Sequence, residues 1–172
     1  MEAVLIGTGF TARGLGVILA AVIGMSAWGL GWSGAHAEEA RETCDMSGSR
    51  YDRGFDRVNE ITRGQGQAVL DSLSDIAPDL ARYIIEFPYG DIFCRPGLTD
   101  QQRQLAIISA LAALGYAAPE LRVHIHGALN AGVTEQEVVE AMILMSVYAG
   151  FPASLHGLRA AQEVFEERRA QE

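Results

Sequence analysis

The stretch TDQQRQLAIISALAALG, residues 99–115, decides the fold. Thr99 with Gln102 three positions on has the form of a capping box, in which both side chains satisfy amides that a helix start leaves unpaired. Leu105 to Leu114 follows almost without a polar break, and Gly115 can close the helix in the left-handed conformation. This pattern predicts an apolar helix buried on nearly all its sides. Working outward, Pro119 opens a further helix that Gly132 ends. Thr134 and Glu137 repeat the capping box and lead through Val138, Val139, Met142, Met145 and Val147 to Gly150, where Pro152 opens a last helix through Phe165. Towards the N-terminus, Gly54 to Leu73 carries Phe55, Val58 and Ile61 at three-residue spacing, and Pro78 to Phe87 makes a short helix that Pro88 is expected to stop. No segment after Arg50 alternates with the period of two that a half-buried strand requires. About six helices joined by short connections make antiparallel neighbours, so the predicted fold is an all-α antiparallel bundle.

The chain has 172 residues and a net charge of −9, with 49% hydrophobic and 20% charged residues. That composition excludes a disordered chain, and the negative balance argues against a surface that tracks nucleic-acid phosphates. All 13 basic residues are arginine, so a Schiff-base mechanism and a P-loop lysine are both impossible. Arg13, the apolar run from Gly14 to Trp32 and Ala35-His36-Ala37 have the form of a secretory signal. The expected organisation is therefore a leader over 1–37, a flexible polar lead-in over 38–50 and a single domain over 51–172. Cleavage after Ala37 would leave no stable membrane insertion and a periplasmic or secreted protein.

Two clusters could carry chemistry. In the first, residues 87–98 mix aromatics, a thiol and a cation between two helices. Arg95 precedes Pro96, which biases its backbone to an extended shape and could aim the guanidinium at a carboxylate; equally, Arg95 could pair with Asp91 or cap a helix end. In the second, His124 and His126 lie about 160° apart on a helix and cannot serve one site; Leu121, Ile125, Ala128 and Leu129 mark the core face, which favours His124 as the inward one. His-x-His on a helix gives no shared metal geometry, so no metal is expected.

Three blocks, YGDIFCRPGL (89–98), HIHGALNAGVTEQEV (124–138) and YAGFPA (148–153), carry a resemblance from about Gly54 to Phe165 to the carboxymuconolactone decarboxylase family, relatives of the alkylhydroperoxidase D proteins. The resemblance implies an all-helical subunit in trimers or hexamers, with pockets walled partly by neighbouring subunits. Counting back from His124, the paired redox cysteines of the peroxidase branch are replaced by Ala117 and Glu120, and its relay glutamate by Gln104. The decarboxylase branch is thus the closer match, and its reaction requires no cofactor. By resemblance, His124 is the proton donor or oxyanion partner and Arg95 anchors a carboxylate. Tyr89 and Tyr148 line the pocket, and Arg103 and Gln104 complete it from the third helix. His126, where decarboxylases of this family usually carry arginine, is counted with the substrate-binding residues. The implied activity is a lyase acting on a small carboxylated lactone or related acid. The alternatives are a thiol-dependent peroxidase using Cys94 and a non-catalytic oligomeric binding protein. In an oxidising compartment Cys44 and Cys94 could instead form a structural disulfide.

Overall fold

The computed structural model describes residues 44–171, so the expected leader and the first part of the lead-in lie outside the described residues. Among these there are seven α-helices, one π-helical segment and no strands: α1 Arg50–Thr62, α2 Gln65–Leu73, α3 Pro78–Ile84, the π segment Ile85–Ile92, α4 Asp100–Leu114, α5 Ala118–Asn130, α6 Glu135–Tyr148 and α7 Phe151–Arg169. No described helix is long and apolar enough to cross a membrane.

Both capping boxes form. The Thr99 hydroxyl accepts from the Gln102 amide at 3.2 Å while Gln102 Oε1 accepts from the Thr99 amide at 2.9 Å, and Thr134 and Glu137 do the same at the start of α6. Gly115 closes α4 with φ 74°.

Two helix boundaries differ from the sequence-based expectation. The stretch 54–73 is two helices, because Arg63 and Gly64 both adopt positive φ, 49° and 92°, and turn the chain. Pro88 does not stop the third helix. The backbone widens into i→i+5 pairing, as in the 2.8 Å bond from the Phe93 amide to the Pro88 carbonyl, which accommodates a residue that lacks an N–H and crowds the preceding turn.

The main core joins α4, α5, α6 and α7 through Ile108, Leu121, Ile125, Val138, Met142 and Val164, all fully buried, each contributing about 1.5–3 kcal/mol by leaving water. A second cluster of Val58, Ile61, Tyr89 and Phe93 joins α1 to the π segment. Their backbones nearly touch: a Cβ built on Gly54 would lie 2.2 Å from the Ile85 carbonyl oxygen, and one on Gly90 2.4 Å from that of Arg50, so only glycine fits at this crossing. Beside it, the guanidinium of Arg57 is fully buried and pairs with Glu60 at 2.6 Å and with Asp100, tying α1 to the start of α4.

Within one chain, α4 is not buried on nearly all sides as its composition suggests. One stripe, Gln104, Ile108 and Ala112, is buried at four-residue spacing, while Leu114 is half exposed. The lead-in is pinned from Cys44 onward: Cys44 and Cys94 form a disulfide with Cα atoms 5.5 Å apart, and Arg53 donates to the Gly48 carbonyl at 3.3 Å.

Candidate active site

Against the second cluster lies a cavity of about 390 Å³. Its walls are apolar: Val58 from α1, Val69 and Leu70 from α2, Ile84, Pro88 and Tyr89 from α3 and the π segment, Phe93, and Ile107 from α4. The α5 wall is different, because Glu120 and His124 line it one helical turn apart, on the same face. The π register has a direct role here, since it keeps the chain helical past Pro88 and brings Tyr89 and Phe93 onto one wall, stacked with ring centroids 4.9 Å apart.

His124 is held from behind. Its Nδ1–H donates to Oε1 of Gln104 at 3.1 Å, and Gln104 has no solvent exposure. Gly127, one turn behind Gln104's partner on α5, makes room for that amide: an added Cβ would lie 3.0 Å from Gln104 Nε2. With Nδ1–H committed, the imidazole keeps its Nε2 lone pair for other chemistry. Burial drives the His124 pKa from the ordinary 6.5 down to about 4, opposed by the negative charge of Glu120. The ring is therefore neutral at pH 7 in the unliganded cavity. Tyr89, also desolvated, is pushed up to about 12 and keeps its hydroxyl proton.

Of the residues expected from the sequence, the structure brings together His124, Gln104 and Tyr89, and separates the rest. Arg95 is exposed and lines no part of the cavity, so the convergence of its guanidinium with His124 on one hollow does not occur within a single chain. Nor does it pair with Asp91, whose carboxylate is taken by Arg50 and by Arg53 at 3.3 Å. The Arg95 carbonyl instead accepts a hydrogen bond from the Arg103 guanidinium. Burial and the neighbouring cations Arg57 and Arg95 lower the Arg103 pKa against the pull of Asp100. Tyr148, at the end of α6, is 79% exposed and away from the cavity. His126 points to the opposite side of α5, as the 160° offset requires, with Nε2 3.3 Å from Glu167 Oε2, so it does not bind a ligand in this cavity. Glu120 is a site residue beyond those expected from the sequence, and its spacing of four from His124 is the signal that places it here. Cys94 is committed to Cys44 and contributes no thiol beside His124.

An all-helical protein whose apolar hollow presents one imidazole, oriented by a buried amide and flanked by one carboxylate, has the makings of a proton-transfer site. The chain belongs to the carboxymuconolactone decarboxylase family, whose profile matches residues 78–163. It is 36% identical over 119 residues to a 4-carboxymuconolactone decarboxylase of Acinetobacter baylyi, covering 69% of this chain and 88% of that protein. It is 35% identical over 85 residues to a nitrosuccinic acid decarboxylase of Metarhizium robertsii, covering 49% of this chain and 58% of that one. An uncharacterized 15.0 kDa protein of Paracoccus denitrificans is 34% identical over 97 residues. Two of these three relatives are named as decarboxylases, and the all-α fold expected from the resemblance is the one observed.

Proposed function

We propose that this protein is a carboxy-lyase that removes CO2 from a small carboxylated lactone or a related acid, with His124 returning a proton to carbon. The observation that carries this reading is the placement of His124, neutral and fixed by Gln104, in an apolar cavity. In such a reaction the bond between the ring carbon and the carboxylate breaks, CO2 leaves, and the electron pair delocalises towards the lactone carbonyl. The resulting oxyanion is then protonated at carbon. Neutral His124 has no acidic Nε2 proton to give at pH 7, but an anion bound beside it favours the imidazolium, as does Glu120 one turn away. The substrate thus brings with it the counter-charge that makes its own proton donor. The apolar wall disfavours the dispersed charge of CO2 loss less than the concentrated charge of the starting carboxylate, which helps the bond to break.

Among the cavity-lining residues the only formal charge is that of Glu120, so the carboxylate anchor comes from outside this lining. Arg103 is one turn before Ile107 on the cavity side of α4 and has no carboxylate partner, and it holds Arg95 by its carbonyl. This guanidinium pair, brought to a neighbouring copy's cavity in an assembly of three or six copies, is the proposed anchor. Exposed Val147, Tyr148 and Phe151 at the junction of α6 and α7 support such self-assembly. The Cys44–Cys94 disulfide supports a periplasmic or secreted location. Its commitment also disfavours thiol-dependent peroxide reduction by Cys94. The test is CO2 release by the purified protein from a panel of carboxylated lactones and nitro- or keto-substituted diacids. Turnover of at least one member is expected, and no CO2 from any member counts against the reading.

A further inference from the structure

A second hollow, of about 270 Å³, lies on the other side of α5 from the catalytic cavity. It is lined by Thr62, Arg63 and Gln65 at the turn between α1 and α2, by His126 and Asn130 of α5, and by Arg168 and Gln171 at and beyond the end of α7, and among the described residues no carboxylate lines it. In a chain of 22 acidic and 13 basic residues, that is a reversal of charge. Among the described residues Arg50, Arg53, Arg57, Arg82, Arg122 and Arg169 each pair with a carboxylate, whereas Arg63, Arg95, Arg103, Arg159 and Arg168 do not, and two of these five, Arg63 and Arg168, meet at this hollow.

Arg168 is held in place by a group that does not cancel its charge. Arg168 Nη1 donates to Asn130 Oδ1 at 3.0 Å, and Asn130 Nδ2 in turn donates to the Ile61 carbonyl at 3.0 Å. His126 is buried, and its Nε2 faces Glu167, whose other oxygen is held by Arg122. Arg63 meanwhile occupies the left-handed region, φ 49° and ψ 44°, at a helix end where glycine or asparagine is accommodated more cheaply. A cation at a position that a neutral residue would occupy more cheaply motivates a search for what its charge does there.

We propose that this hollow binds a small multivalent oxyanion, gripped by the Arg63 and Arg168 guanidiniums with the His126 and Asn130 side chains at its base. The guanidinium fork suits both carboxylate and phosphate oxygens, so the shared chemistry is a dianion of a few heavy atoms. The site is independent of the lyase reading, because its residues and those of the catalytic cavity do not overlap.

The experiment is calorimetric titration of the full chain with inorganic phosphate and, separately, succinate, at ionic strength held constant with sodium chloride. One saturable site for at least one anion is expected. Phosphate binding alone identifies a phosphorylated ligand, and succinate binding alone a dicarboxylate. Arg63→Asn and Arg168→Gln should each raise Kd at least tenfold, and Arg63→Asn should melt no lower than the parent, since asparagine tolerates the left-handed backbone. His124→Ala should leave Kd unchanged. Absence of saturable binding of both anions, or equal affinity in the parent and both arginine variants, overturns the proposal.

Discussion

Acidifying the protein from pH 7 to pH 4 should weaken its fold by an amount that can be assigned to one ring. His124 titrates near 4 in the folded chain because burial disfavours its charged form, and near 6.5 once unfolding returns it to water. The unfolded state therefore binds the proton more tightly. Stability is full above pH 6.5, falls as pH drops from 6.5 to about 4, and is flat with respect to this group below that. At about 1.36 kcal/mol per pH unit, the gap is worth roughly 3 kcal/mol, a large share of a typical domain stability of about 5–15 kcal/mol. The assay is urea unfolding at pH 7 and pH 4, disulfide intact, for the parent and for His124→Gln, which keeps a polar partner for Gln104 without a titrating ring. Carboxylates such as Asp91, held low mainly by its hydrogen bond to Arg50, contribute equally to both proteins and cancel in the comparison. The parent should lose roughly 3 kcal/mol more than the variant between the two pH values. Equal losses would refute the claim that His124 is buried and neutral.

Three other perturbations probe the same architecture. Glu120→Gln removes the charge that favours the His124 imidazolium, so decarboxylation at pH 7 should slow several-fold and its rate should recover as pH is lowered; an unchanged pH profile removes Glu120 from the site. Reducing the Cys44–Cys94 bond, which spans 50 residues, should cost about 4 kcal/mol by the chain-entropy relation, read as a shift in the urea midpoint; no shift would mean that the link does not constrain the unfolded chain. Val147→Glu places a charge in the exposed apolar junction of α6 and α7, and light scattering should show dissociation to a monomer; a monomeric parent would instead defeat the assembly reading.

Much of the scaffold was legible because it rests on local chemistry. The Thr99 and Thr134 capping boxes and the Gly115 closure are decided within a few residues, and each forms as read. The opposite aims of His124 and His126 follow from helix geometry alone and are what the structure shows. What was not legible depends on contacts between segments distant in sequence. The π register across Pro88 lies where Gly54 of α1 crosses Gly90 of the π segment, a contact between segments that no local rule reports. The left-handed Arg63 carries none of the usual turn signals, since glycine follows it instead of replacing it. The expected Arg95–Asp91 pair is absent for a similar reason: Asp91 is claimed by Arg50 and Arg53, about 40 residues earlier in the chain. Glu120 occupies the position of a missing cysteine, which conceals its role, although its four-residue spacing from His124 places both on one wall.

The decisive measurement is turnover of a carboxylated lactone in deuterated water by the parent and by His124→Ala, following both the rate of CO2 release and the label in the product. The parent should place one deuterium on the carbon that accepts the proton, and the variant should be slower by about 10²–10⁴-fold while remaining folded. A folded His124→Ala protein that releases CO2 at the parental rate would show that the imidazole in this hollow takes no part in the chemistry.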